Sequence, residues 1–305
     1  MSNDILGLGN LTKPVEKLIE VVSQGIGTLY KPRAIRNEAK AQADAKIILA
    51  EADAKIEGFK NLGLDRIVYR EQQRTHNIDN VVEFAYNELG NDDVSNENID
   101  KDWSTRFFNI VEDISNEEMQ AIWGKILAEE IKRPKTHSLR LLEVLKNITK
   151  EEAEIFVKLS QYAINNNYVL RDFDYLESQG ILFKHLNLMR ELALINTDNN
   201  LVYRYKENNT NNIKMDIFLF SDIFLVSERP PYSDKLEIPI IGFTSIGQQL
   251  LKIVNFGNKN IDLENYIKSI ANTIKSNGSI KVYYTKDFKL EGDEVFFNDN
   301  SLIEI

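Results

Sequence analysis

Apolar and polar positions over residues 37–60, NEAKAQADAKIILAEADAKIEGFK, repeat with helical period but on two faces. At about 100° per residue, Ala39, Ala43, Ile47, Ala50 and Ala54 share one arc of the helix. Ala41, Ala45, Ile48, Ala52, Ile56 and Phe59 share the opposite arc, with charged and amide residues filling the gaps between. A surface helix needs one apolar stripe. Two stripes of small residues predict a helix flanked on both sides, by copies of the chain in an oligomer or by two neighbours from its own chain. Ahead of it, LTKPVEKLIEVVSQGIGTLY reads as an amphipathic helix with Thr12 as N-cap and Pro14 in the first turn. Leu11, Val15, Leu18, Ile19, Val22 and Ile26 form its apolar face. That face predicts either a membrane- or partner-binding surface or packing against the next helix. Gly25 and Gly27 weaken its last turn, and Pro32 marks a break before the second helix.

The pattern divides the chain into an amphipathic segment (1–32), a long Ala-rich helical region (33–90), a helical bundle (103–164) and a winged-helix-like α+β domain (165–305). Gly63 marks a break in the long helix, and GNDDVSNENIDKD (90–102) is the best candidate linker. Ser115-Asn-Glu-Glu118 and Thr149-Lys-Glu-Glu152 read as capping boxes. LESQGILFKHLNLMRELALI reads as helix, followed by strand-like LVYRYKE, IKMDIFLFSDIFLVSE and KLEIPIIGF, then a helix capped by Thr244. SIKVYYTKDF and EVFFNDNSLIEI are expected to close the chain as an edge sheet. The fold class expected is mainly α with a C-terminal α+β part.

Composition narrows the chemistry. The 305 residues carry a net charge of −10, unfavourable for broad nucleic-acid binding, where phosphate contacts dominate affinity. The charge is uneven: residues 5–36 hold five bases against two acids, and 91–160 hold 15 acids against 10 bases. Without cysteine there are no disulfides, thiolate metal sites or cysteine nucleophiles. The start lacks the pattern of a signal peptide, and no apolar run is long enough for a conventional membrane span. The expected location is the cytoplasm, with peripheral association at the inner membrane. His76, His137 and His185 lie far apart without ligand-pair spacing, and no phosphate-loop, dinucleotide or nucleophile-elbow motif occurs. No cofactor or metal is expected, and the chain reads as non-enzymatic. The adjacent acids Glu117-Glu118, Glu129-Glu130 and Glu151-Glu152 read as solvated or dipole-compensating carboxylates. The one nucleic-acid candidate is Ile181–Leu194, offering Lys184, His185, Asn187 and Arg190 against Glu191.

MQAIWGKILAEEIKRPKTHSLRLLEVLKNITKEEA (119–153) resembles a segment of bacterial DUF2806 proteins, and of the abortive-infection alpha (DUF4393) proteins. Met119, Gln120, Trp123, Ile126, Leu127, Ala128, Ser138, Leu142, Leu145, Lys146 and Ala153 carry the likeness. The opening LGNLTKPVEKLIEVVSQGIGTLYKPRAIRNEAKAQADA is similar to a DUF2806 start, and FTSIGQQLLKIV to a helix common to both groups. These are packing patterns and imply no catalytic residues. The resemblance to the abortive-infection alpha proteins implies a bacterial antiphage or abortive-infection role, while the DUF2806 resemblance brings no biochemical function. Combined with the helical pattern, the expectation is an oligomer that binds a membrane surface or protein partner through its N-terminal helices. The alternative is a winged-helix nucleic-acid-binding regulator.

Overall fold

A computed structural model of the chain describes residues 12–32, 62–204, 208–210, 213–220, 223–229, 236–254, 261–291 and 294–305. It is mainly α with a C-terminal α+β part, and it divides into two compact units, Met1–Lys146 and Asn147–Ile305. The polar stretch 90–102 therefore lies inside the first unit, residues 90–100 as the loop from α2 to α3 and Lys101 and Asp102 in the first turn of α3. Val94 and Ile99 anchor that loop in the core, and the Lys13 ammonium donates to the Val94 carbonyl at 3.3 Å.

The first unit is built from α1 (Lys13–Ile26), α2 (Leu62–Leu89), α3 (Lys101–Val111), α4 (Glu117–Lys132) and α5 (Leu139–Asn147). Helix α1 ends where Gly27 enters the left-handed region (φ 75°), a C-terminal stop rather than a weak turn. Gly25 is there for proximity: a Cβ would lie 2.1 Å from the Phe108 ring and 2.9 Å from the Ser104 carbonyl. Gly63 sits in the first turn of α2, which runs on without a break at that residue.

Contacts fix the helix directions. Gln120 near the start of α4 bonds Asn77 and Asn80, while Lys132 at its end reaches the Glu88 carbonyl at 2.9 Å. Helices α2 and α4 therefore run the same way. They approach closely at Gly124, where a Cβ would meet Phe84 Cβ at 2.4 Å. The end of α3 returns to the middle of α2, with Asn77 Nδ2 donating to the Glu112 carbonyl at 2.8 Å. Helices α1 to α4 thus alternate in direction, as in an up-down bundle. Trp103, Phe107, Phe108 and Trp123 form its aromatic centre.

The second unit begins with α6 (Lys150–Ser160), whose Thr149 and Glu152 form a reciprocal capping box. It continues through β1 (Tyr168–Leu170), α7 (Phe173–Ser178), α8 (Phe183–Glu191), β2 (Ile195–Asn196) and β3 (Val202–Arg204). Gly180, at φ 74°, splits into α7 and α8 what the apolar pattern reads as one helix. After β4 (Asn208–Thr210), β5 (Ile213–Phe220) and β6 (Ile223–Arg229) comes β7 (Glu237–Phe243), which pairs with β1 on one side and with β2 and β3 on the other. In chain order the unit thus runs α6, β1, α7, α8, β2 and β3, with β4 to β6 coming before β7.

Helices α9 (Ser245–Ile253) and α10 (Leu263–Lys275) follow, then β8 (Lys281–Thr285), β9 (Phe288–Glu291), β10 (Glu294–Phe297) and β11 (Ile303–Glu304). The second sheet runs β11-β8-β6-β5-β4. Strand β8 is thus interior, with β11 and β4 at the two edges, a difference from the terminal edge sheet that the sequence pattern predicts. Hairpin β9–β10 lays Phe288 and Phe297 against Phe224 of β6.

Candidate functional site

The apolar face of α1 is inside the first unit. Leu18, Ile19 and Val22 are buried, Val15 and Ile26 are half-buried, and Leu11 lies outside the described residues. Val21, off the expected face, is buried as well. Beyond the helix, the Tyr30 hydroxyl donates to Asp79 of α2 at 2.9 Å, with both residues buried. A lipid-facing role for Leu18, Ile19 and Val22 would require α1 to leave the core. Of the two expectations for this face, the packing one describes its position here. No helix among the described residues is long and apolar enough to cross a membrane.

The assembly positions Ala39, Ala41, Ala43, Ala45, Ile47, Ile48, Ala50, Ala52 and Ala54 lie outside the described residues. The helix that follows them does show where packing stops. From Asn77 onward α2 is held by the bundle, with Val81, Val82, Ala85 and Leu89 buried. From Arg66 to Gln73 every residue is exposed, including Ile67 (50%), Val68 (53%) and Tyr69 (64%). Ile67 continues the stripe that α4 covers further along, and Tyr69 is about 200° away around the axis. This arm is therefore apolar on opposite sides.

Among the described residues no three histidine or acidic side chains converge as a metal site. His185 caps α8, its Nδ1 accepting the Leu182 N–H at 3.2 Å. Lys184 and Arg190 are exposed on α8, but Glu191 is exposed beside them and Asn187 is half-buried. Phe183, at the start of α8, is also exposed.

The paired acids separate by environment. Glu117 and Glu118 occupy the first turn of α4, below the N-cap Asn116, which accepts the Met119 N–H; the cap falls one residue after Ser115. Glu151 and Glu152 do the same for α6. Glu130, expected in solvent, is only 2% exposed. Its carboxylate accepts the main-chain N–H groups of Lys135 (2.5 Å) and His137 (2.9 Å), shaping the turn from α4 to α5 where Lys135 has φ 69°. His137 is buried too: its Nε2 lies 3.0 Å from Glu129 and its carbonyl accepts the Trp103 indole N–H at 2.8 Å. The cluster is a structural tie among α3, α4 and the turn.

Burial raises the Glu130 carboxyl, against the lowering effect of its main-chain donors. For Glu129 burial also pulls upward, but the bond from His137 and the nearby positive charges outweigh it and the net direction is down. A raised folded value means that the native state holds the Glu130 proton more tightly than the unfolded chain does. The stabilisation is full below the ordinary carboxylate range and is lost as pH rises through the folded value. The stability margin of wild type over Glu130→Gln should therefore narrow as pH is raised from about 4 to 7. Denaturant melts of both proteins across that range check this, and a constant or widening margin would refute it.

Residues 63–271 match the family model described as Protein of unknown function (DUF2806). No curated protein and no solved structure matches the chain.

Proposed function

The chain belongs to the DUF2806 family, and we propose that it acts by self-association. A second copy of the chain packs against the exposed arm of α2 and the Ala-rich run that precedes it. The observation that carries this reading is the change of environment along one helix. Its second half is buried in the bundle, while its first half presents Ile67, Val68 and Tyr69 to solvent. Ile67, Val68 and Tyr69 point to different sides of the arm, so covering them takes a neighbour on more than one side, as the two stripes of residues 37–60 also require. The two-faced pattern of residues 37–60 supports the same conclusion from sequence. The resemblance of 119–153 to abortive-infection alpha proteins supports a bacterial defence role for the assembly, exerted from the cytoplasm or inner-membrane surface without catalysis.

Removing residues 1–60 is a poor test, because it deletes α1 and with it the buried Leu18 and Val22. Point substitutions on the arm avoid that. Exposed positions tolerate change within roughly 0.5 kcal/mol, so Ile67→Asp with Tyr69→Asp should keep the fold. Light scattering should give a discrete oligomer for wild type and a smaller species, down to monomer, for the double variant. A monomeric wild type at tens of micromolar would overturn the proposal.

A further inference from the structure

Arg74 stands where α2 stops touching the bundle. Every residue from Arg66 to Gln73 is exposed, Arg74 is the first half-buried one, and Asn77 is the first buried one. Its Nε donates to Asp113 at 3.1 Å, and its Nη1 lies 3.4 Å from Glu112 and 3.6 Å from Glu71. Arg70, one turn nearer the tip, pairs with Glu71 at 3.5 Å.

The acids are badly placed for α3 itself. Glu112 is the C-cap of that helix and Asp113 follows it, so both carboxylates face the negative end of the helix dipole. Burial, together with the neighbouring Asp113 and Glu71, raises the Glu112 carboxyl, while Arg74 and Arg70 lower it. Two acids that do not help α3 make sense as a socket for the guanidinium of α2. Arginine suits such a socket because its fork can face several carboxylate oxygens at once.

We infer that Arg74 is a positioning residue that sets the direction of the α2 arm, and through it the number of copies in the assembly. This rests on the self-association reading above. From Leu62 to Arg74 the helix extends about 18 Å, so a swing of about 10° at Arg74 moves the tip about 3 Å. A repeated contact closes into a ring of fixed size only when its rotation is fixed, and a loose angle gives mixed or open species.

Light scattering of the whole chain tests this with wild type, Arg74→Ala, Arg74→Lys and Asp113→Asn. Wild type should give one mass. Arg74→Ala should replace it with a spread of masses or a mass changed by at least one subunit. Arg74→Lys should lie between them, since it keeps the charge without the fork. Asp113→Asn removes the nearest partner at an exposed site, so it tests the same angle without threatening the fold; it should shift the distribution in the same direction. If all three variants keep the single wild-type mass, the inference falls, even if their melting temperatures drop, because a merely structural ion cluster would do only that. A monomeric wild type would remove both this inference and the reading beneath it.

Discussion

Trp123→Ala will destabilise the first unit by about 3–5 kcal/mol, the range for emptying a well-packed aromatic site. The indole is fully buried and meets Phe107 edge-on at 5.4 Å; Phe107 in turn stacks on Trp103 at 5.0 Å and meets Phe108 at 5.1 Å. Removing the ring exposes a void at the crossing of α3 and α4, beside Gly124, where α4 already lies against α2. The helices cannot close further there, so little of the void collapses.

The Trp123 indole N–H finds no acceptor among the described residues, which makes phenylalanine informative. Trp123→Phe removes that unsatisfied donor while keeping an aromatic edge for Phe107. It should cost about 1–2 kcal/mol, well below the alanine variant. Denaturant unfolding of the three proteins decides it. A phenylalanine variant as unstable as the alanine one would show that the N–H has a partner or that ring volume alone governs the site.

What the sequence made legible was local. The Thr149 box and the Thr244 cap depend on residues within three positions of each other, and both form as read. Break points needed conformations that hydropathy does not encode. The apolar pattern runs straight through Gly180, and only the left-handed φ there separates α7 from α8.

Long-range features were hidden for a different reason. Glu130 sits beside Glu129 in a polar run and looks solvated; its burial depends on a turn, five to seven residues later, folding back to donate two N–H groups. Pro134 was the available signal that this turn needed support. The face of α1 was visible as apolar, but apolarity does not name its partner. Gly25 could have named it, since a glycine on a helix face often marks where another element comes close. Of the proposed self-association surface, the sequence carries the two stripes, while the exposure of Ile67, Val68 and Tyr69 follows only from where the bundle stops covering α2.

The same reasoning about glycine gives the other large effect. Gly247, in the first turn of α9, is pressed on the turn between α8 and β2, where a Cβ would lie 2.1 Å from the Leu194 carbonyl oxygen. That oxygen is not free to move: it accepts the Thr244 N–H at 3.0 Å and the Thr244 hydroxyl at 3.3 Å. Leu194 is itself buried, and its N–H is held by the Met189 carbonyl. The preceding Ala193 already occupies the left-handed region at φ 56°, so the turn has little room to relax.

Two effects oppose each other in Gly247→Ala. Alanine favours a helix over glycine by about 1 kcal/mol. Displacing a fixed backbone carbonyl belongs at or above the upper end of overpacking costs, about 3 kcal/mol. The clash wins, and the variant should lose about 2 kcal/mol or more of stability in the second unit. Gly90 calibrates the measurement: it has φ 51° and nothing within 4 Å of an added Cβ, so Gly90→Ala carries only left-handed strain, about 1 kcal/mol. Thermal or denaturant melts of both variants give the comparison. Gly247→Ala proving neutral or stabilising would mean that α9 does not rest on Leu194, and the packing of that helix on the turn after α8 would have to be redrawn.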